Sequence, residues 1–343
     1  MPEPKKMFDG LVTNAIDFMQ RSAAELEDQP KYSVIDFFAG VELFLKARLL
    51  LDHWSLVIAQ PERADLSRFL SGDFTSVGFK DAVYRLRHVV NEPISEDEEA
   101  SFNSLREHRN KLVHFFHDKY TGAADASTIA DVVSEQCKAW FYIHRLLSDR
   151  WAKNFAKHKA AITHLDAVYR RNRRYLGARW EALEPEIKRQ TKQGGQFLSC
   201  NFCGYGAGAV EKAHHGLYAT KCRVCEAESS HILVKCQDCT KLIEADDVGQ
   251  GECACGFELD WDYLARTLSR GRVESPIAFC TCGYGIEKTV IPFDKGYLCL
   301  SCHETGLTLN DCEWCAETHL GELEASYIAG CTQCEGNWDD DDS

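Results

Sequence analysis

Sixteen of the seventeen cysteines fall after residue 199, and they come as eight close pairs. In chain order these are Cys200/Cys203, Cys222/Cys225, Cys236/Cys239, Cys253/Cys255, Cys280/Cys282, Cys299/Cys302, Cys312/Cys315 and Cys331/Cys334. A Cys-x-x-Cys turn places two sulfurs on one side of a tight loop, each able to sit about 2.3 Å from one zinc ion. A second such turn, returned by a hairpin, completes a tetrahedron. Neighbouring pairs taken two at a time give four modules, with 18, 13, 16 and 15 residues between the turns. The chemistry expected is four Zn2+ ions held by thiolates. Because each set is closed by four sulfurs, with no position left for water, the metal is expected to be structural and no catalytic metal is expected.

Disulfides and iron–sulfur clusters compete for the same cysteines. Disulfides need an oxidising compartment, and the start of the chain, Met1-Pro2-Glu3-Pro4-Lys5-Lys6, leads into no signal-peptide core. Iron–sulfur centres also use four thiolates, with other spacings. An internal repeat supports the pairing by neighbours: Cys203-Gly204-Tyr205-Gly206 recurs as Cys282-Gly283-Tyr284-Gly285. Cys253-Ala254-Cys255 and Cys280-Thr281-Cys282 are one residue short of the usual turn, which predicts a weaker hold in the second and third modules. His214, His215, His231 and His303 lie inside the array. They are ligand candidates on residue type, but sixteen cysteines already fill four sites, so they are expected on the surface or in packing. Cys137 stands apart and reads as a small core residue.

A second group of residues can do chemistry. Arg109-Asn110-Lys111-Leu112-Val113-His114 sets a polar residue beside an arginine and a histidine five places on. A guanidinium can pair two phosphate oxygens, and an imidazole titrates near neutrality. A like pair, Arg48 and His53, recurs earlier in the chain and is taken as coincidence.

This segment resembles the HEPN superfamily, an all-α fold whose motif is Arg, a polar residue, three variable residues and His. The apolar stretch Val41-Glu42-Leu43-Phe44-Leu45-Lys46-Ala47-Arg48-Leu49 resembles the family's earlier helix, with Glu42 and Lys46 in its acidic and lysine places. The resemblance covers residues 8–148 and nothing beyond. It implies a metal-independent endoribonuclease, acting as a homodimer in which both motifs line one cleft, of the kind deployed as toxins or in antiviral defence. The expected roles follow from residue type. His114 moves protons between the 2′-OH, the phosphate and the leaving oxygen; Arg109 stabilises charge on the phosphate; Asn110, one turn from His114, orients it or the phosphate. The products would be a 2′,3′-cyclic phosphate and a 5′-OH. Glu42 and Lys46 are either supporting active-site residues or a plain helix ion pair. The alternative from another class is a non-catalytic dimeric adaptor, in which the Arg–His pair holds the bundle and the ribbons bind a protein or nucleic-acid partner.

The elements that must position these groups are legible in outline. Residues 1–149 read as an all-α bundle. Its central helix is expected over 34–59, where apolar side chains cover most of the circumference. Ser95-Glu96-Asp97-Glu98 has the serine and the glutamate of a capping box, so a helix carrying Arg109 is expected to run from there to about His117. Its apolar stripe is Phe102, Leu105, Arg109, Leu112 and Phe116, while His108 and His117 are expected on solvated faces. Another helix is expected over 127–147. Residues 150–193 read as a basic helical connector, ended at Gln193-Gly194-Gly195-Gln196. Beyond it lies an array of small β-rich zinc ribbons in two tandem pairs, 196–260 and 276–338, with Ser230–Val234 as one of its strands.

Charge divides along the same lines. The formal total of −14 splits into −7 over 1–149, +8 over 150–193 and −15 over 194–343. The basic segment, with Arg170, Arg171, Arg173 and Arg174 interleaved with Tyr169, Tyr175 and Trp180, is the expected RNA-binding surface; a solvated helix that pairs with the acidic array is the other reading. The acidic array is expected to face a protein partner or to select the target, with Arg266, Arg270 and Arg272 as local basic spots. The run Asp339–Asp342 reads as a solvated tail. No apolar run approaches the ~20 residues of a membrane span, so a cytoplasmic protein without a membrane partner is expected.

Overall fold

In the computed structural model the described residues are 4–114, 126–246, 249–282, 287–323 and 326–334. The chain divides into two compact units, Met1–Pro185 and Glu186–Ser343.

The first unit is built around one helix. Pairing begins with α1 (Pro4–Ala24), whose buried positions Phe8, Val12, Ala15, Ile16 and Met19 follow helical spacing. They face α2 (Pro30–Asp52), which starts on a proline and buries residues all round, including Val34, Phe37, Phe38, Val41, Phe44 and Leu45. The two helices meet closely at Gly40, where an added Cβ would stand 2.9 Å from the end of Met19. As expected of a central helix, α2 touches α1 and three later helices. It ends at Asp52, earlier than expected, because His53 turns the backbone extended and its ring accepts the amide of Ser55, starting a short 3-10 turn at Trp54–Val57.

Next come α3 (Leu66–Ser71), capped by Asp65, and α4 (Phe79–His88). The helix α5 (Glu96–His114) opens on the expected capping box: the Ser95 amide donates to Glu98 Oε2 at 2.7 Å, and the Glu98 amide to Ser95 Oγ at 3.2 Å. Then α6 (Ala126–Arg145) runs into a π-helical turn at Leu146–Arg150, followed by α7 (Lys159–Tyr169) and α8 (Arg173–Lys192). The helical unit therefore does not stop near 149. Trp151, Phe155, Ile162, Leu165, Tyr169 and Tyr175 are all buried in it, so the segment to Pro185 completes the bundle instead of connecting it to something else. Two buried polar clusters brace it. Gln136 on α6 donates to both Ser22 of α1 and Ser33 of α2, at 2.8 and 2.7 Å. Asp166 on α7 accepts from Trp140 at 3.0 Å, Arg179 at 3.0 Å and the Tyr175 hydroxyl, with Arg170 at 2.9 Å.

The second unit opens on a five-stranded antiparallel meander: β1 (Phe197–Leu198), β2 (Gly208–His214), β3 (Leu217–Cys222), β4 (Glu228–Lys235) and β5 (Leu242–Ala245). The β2–β3 turn is His215-Gly216, with φ of 49° and 91°. Two left-handed residues match the twist of the flanking strands, and a side chain on Gly216 would be strained, since its Cβ would meet Leu268 at 2.6 Å and the Leu233 carbonyl at 3.1 Å. An unforeseen helix, α9 (Trp261–Ser269), is capped by Asp260 and lays Leu264, Ala265 and Leu268 on a core shared with Ile232, Val234 and Ile243.

After it come β6 (Phe279–Cys280), β7 (Val290–Phe293), β8 (Gly296–Cys299), β9 (Thr305–Gly306), β10 (Leu309–Asp311), β11 (Thr318–Leu320) and α10 (Ser326–Ala329). They form two three-stranded sheets, β7-β8-β9 and β10-β11-β6, with β11 and β6 parallel. The α9 core also takes in Ile291, Phe293, Leu298 and Leu300 of the third module. The modules are thus fused across the gap expected between the two tandem pairs. The buried apolar surface there explains it: such short strands need a covering layer to be stable. No helix among the described residues is long and apolar enough to cross a membrane.

Candidate functional site

The sixteen expected thiols gather into four sets: Cys200, Cys203, Cys222, Cys225; Cys236, Cys239, Cys253, Cys255; Cys280, Cys282, Cys299, Cys302; and Cys312, Cys315, Cys331, Cys334. Within each set all sulfurs lie within 4.8 Å of one another, and none is in a disulfide. The separations are 3.5 Å for Cys200–Cys225, 3.6 Å for Cys203–Cys222, 3.3 Å for Cys239–Cys253, 3.7 Å for Cys280–Cys302 and 3.5 Å for Cys315–Cys331. A tetrahedron with metal–sulfur bonds of about 2.3 Å has edges of about 3.8 Å. Sulfurs this close surround one ion; a multi-iron cluster does not fit among them. Each set can hold a metal ion of the zinc kind. The two short turns close as well as the others.

Backbone geometry explains how ordinary sequence makes such turns. The residue after the second cysteine takes a left-handed conformation at Gly204, Glu226, Thr240, Gly256, His303 and Ala316, with φ between 58° and 90°. Its amide returns to the carbonyl of the first cysteine, as for Thr240 to Cys236 at 3.0 Å and Ala316 to Cys312 at 2.9 Å. The chain wraps so that amides aim at sulfur: those of Val224 and Cys225 stand 3.4 Å from Cys222 Sγ. Such donors favour the thiolate over the thiol. At Cys239, the Lys241 amide and the Cys253 thiol pull the group down to about 7.

The array's histidines stay out of the thiolate sets. His231 is buried on β4, its ring between Thr220 (3.1 Å), Ser229 (3.2 Å) and Glu244 (2.5 Å). His303 donates from Nδ1 to the Ser230 carbonyl at 2.9 Å. His214 and His215 are exposed and come together with Asp294, yet the Arg270 guanidinium bonds the His215 ring, and its charge opposes a bound cation there.

On α5, Arg109 is half-buried and donates to Asn110 Oδ1 at 3.0 Å, while His114 is exposed on the last turn. Asn110 and His114 share a face, being one turn apart; His114 lies about 140° round the axis from Arg109. Contrary to expectation, His108 is not on a solvated face. It is buried, with Nε2 3.0 Å from Glu135 on α6, because α5 packs on α6 along that side. Phe116 and His117 lie outside the described residues, as do Gly283–Gly285 and the acidic tail.

Glu42 and Lys46 lie on α2, and Lys46 is not brought to the motif. Among the described residues no ion pair joins them; Lys46 donates to Ser76 Oγ at 3.1 Å. α2 runs antiparallel to α5: Arg48, near its C-terminus, reaches Glu92 just ahead of α5 at 3.4 Å. Ser33, near its N-terminus, bonds Gln136, the neighbour of the glutamate that holds His108. Lys46 therefore stands toward the end of α5 opposite His114. The coincidental pair behaves as one: Arg48 is a buried ion-pairing residue, bonded to Asp52.

The basic stretch is split by burial. Arg171, Arg173 and Arg174 are exposed, whereas Arg170 pairs with Asp166. Tyr169 and Tyr175 are fully buried, so the expected stacking of bases on them is excluded. The Asp166 carboxyl, which sequence reasoning missed, shows why. Burial alone would raise its pKa, but His144, Arg179, the Tyr175 hydroxyl and Arg170 hold it below the ordinary value. A lone acid in a basic, half-apolar segment was the available signal.

Searches against models of protein families, curated proteins and solved structures find no match to this chain.

Proposed function

We propose that the helical unit is a metal-independent endoribonuclease of HEPN type, working as a homodimer, and that the second unit is a scaffold of four structural zinc ions. The observation that carries the enzyme reading is the connected set on α5: a guanidinium held at 3.0 Å by Asn110, and an exposed imidazole one turn beyond on the face of that asparagine. In the proposed reaction His114 takes the proton from a ribose 2′-OH, or returns one to the leaving 5′-oxygen from the second copy. The freed 2′-oxygen attacks phosphorus, the P–O5′ bond breaks, and Arg109 neutralises charge on the phosphoryl oxygens. Arg109 and His114 point apart on one helix, which is why two copies facing each other suit one phosphodiester better than one. The exposed Arg171, Arg173 and Arg174 are the candidates for steering RNA by charge.

Zinc is the metal proposed for the thiolate sets, because closed sets of four thiolates at these separations are its usual structural donors. In those sets the ion supplies folding energy and no chemistry at the phosphate.

The test incubates parent, Arg109→Ala and His114→Ala proteins with mixed cellular RNA in excess chelator, with short times and a parallel metal assay. Cleavage to 2′,3′-cyclic phosphate ends by the parent alone supports the reading. Equal cleavage by all three removes this active site, and no cleavage by the parent leaves the adaptor reading.

A further inference from the structure

The last 48 residues, 296–343, contain eleven carboxylates and not one lysine or arginine. On this acidic module large apolar side chains face solvent. Trp314, at the tip of the Cys312–Cys315 turn, is 45% exposed; Tyr327 and Ile328, on α10, are 62% and 61% exposed. The Glu313 amide donates to Ser326 Oγ at 3.4 Å, which ties the turn that carries Trp314 to the start of α10, the helix that carries Tyr327 and Ile328. Neighbouring exposed apolar groups of this size mark interaction surfaces rather than ordinary surface, and tryptophan and tyrosine are the side chains that most often anchor them.

We infer that the Trp314–Tyr327–Ile328 surface docks a lysine- or arginine-rich segment of a partner protein, one carrying apolar side chains between its charges. Charge complementarity selects that occupant. Asp311, Glu313 and Glu322 lie in the same module, and Glu317 beside them is paired with Lys288 at 3.2 Å, so a cationic segment gains attraction as it approaches. A guanidinium or ammonium can also rest on the indole face. The apolar side chains of the segment would cover Tyr327 and Ile328. A nucleic acid meets the same carboxylates as repulsion. The inference stands apart from the ribonuclease reading, because nothing in it uses α5.

The test uses the full-length, metal-loaded protein and a fluorescent twelve-residue peptide of alternating arginine and leucine; an alternating glutamate–leucine peptide of the same length and a single-stranded RNA of that length serve as comparisons. Binding of the cationic peptide that weakens with salt, and weakens by about tenfold or more in Trp314→Ala, is expected. Leu242→Ala, which removes an equally exposed side chain from β5 (57% exposed), should stay within about twofold of the parent. Should Trp314→Ala lose metal, Tyr327→Ala carries the same expectation, since α10 holds no thiolate. No binding of the cationic peptide, equal weakening by Leu242→Ala, tighter binding of the RNA, or self-association that Trp314→Ala abolishes would each overturn the inference. RNA cleavage plays no part in the readout, so this result and the ribonuclease result can fail separately.

Discussion

His108 Nε2 stands 3.0 Å from the Glu135 carboxylate, and Ser104 donates to the same oxygen at 2.5 Å. This clamp joins α5 to α6 one residue ahead of Arg109. Glu135→Ala removes this hydrogen bond to a buried imidazole and the one from Ser104, which costs about 1–3 kcal/mol. The expected outcome is a lower melting temperature with RNA cleavage, measured well below it, within a few-fold of the parent. His114→Ala should do the opposite, abolishing cleavage with little change in melting, since its side chain is exposed. If Glu135→Ala abolishes cleavage while melting is unchanged, the clamp belongs to the active site and His108 has been misjudged.

The Asp166 hub gives a pH-dependent prediction. Its folded pKa lies below the ordinary 3.8, so its contribution to stability is present above about that pH and is lost as pH falls through the folded value. Asp166→Asn takes a charge partner from Arg179, almost wholly buried, at an expected cost of about 3–5 kcal/mol near neutrality. Denaturant melts from pH 7 down to pH 2.5 should show the gap between parent and variant at full size near neutrality and narrowing only below the ordinary carboxyl value. A gap that stays constant to the acid end would mean that Asp166 acts through shape alone.

What could be read in the chain was what is local. The thiolate sets follow from turns of three or four residues, and the start of α5 from a serine and a glutamate three apart. Most of the misreadings involve partners on other elements. Tyr169 and Tyr175 look like a stacking surface among arginines until Trp140 of α6 stacks on Tyr169 and Asp166 of α7 accepts from Tyr175, which draws both into the core. His108 has the spacing of a solvated residue, and only packing on α6 hides it. The fusion of the second and third modules depends on α9, whose apolar positions Leu264, Ala265 and Leu268 cover strands more than 20 residues away on either side. Periodicity marks such a face without saying what will lie on it. In the same way, the Arg109–Asn110 contact was legible as adjacency, whereas the cleft that two copies would form depends on a surface that no spacing reveals.

Metal should be additive by set. Cys222→Ser removes one ligand from the first set, at the end of β3, and is expected to lower the bound zinc from four ions per chain to three. Since β3 sits in the middle of the five-stranded sheet, the loss should also open residues 197–245 to proteolysis. The helical unit has its own core and should keep its melting transition. Loss of all four ions in Cys222→Ser would mean that the shared core around α9 makes metal binding cooperative across the array.

Thr240 is an exposed, β-branched residue held at φ 62°, directly after Cys239. A left-handed conformation costs an L-residue about 1–2 kcal/mol, and β-branching makes it worse. Glycine relieves that strain but loses more backbone freedom on folding, by about 0.5–1 kcal/mol. Thr240→Gly is therefore expected to stabilise the second unit slightly, by about 1 kcal/mol or less, and to slow the release of zinc to a competing chelator. Gly204 and Gly256 already occupy the equivalent place after Cys203 and Cys255, so the reverse change, Gly256→Thr, should speed release by a similar factor. Faster release from Thr240→Gly would show that the threonine side chain makes a contact that outweighs its backbone strain.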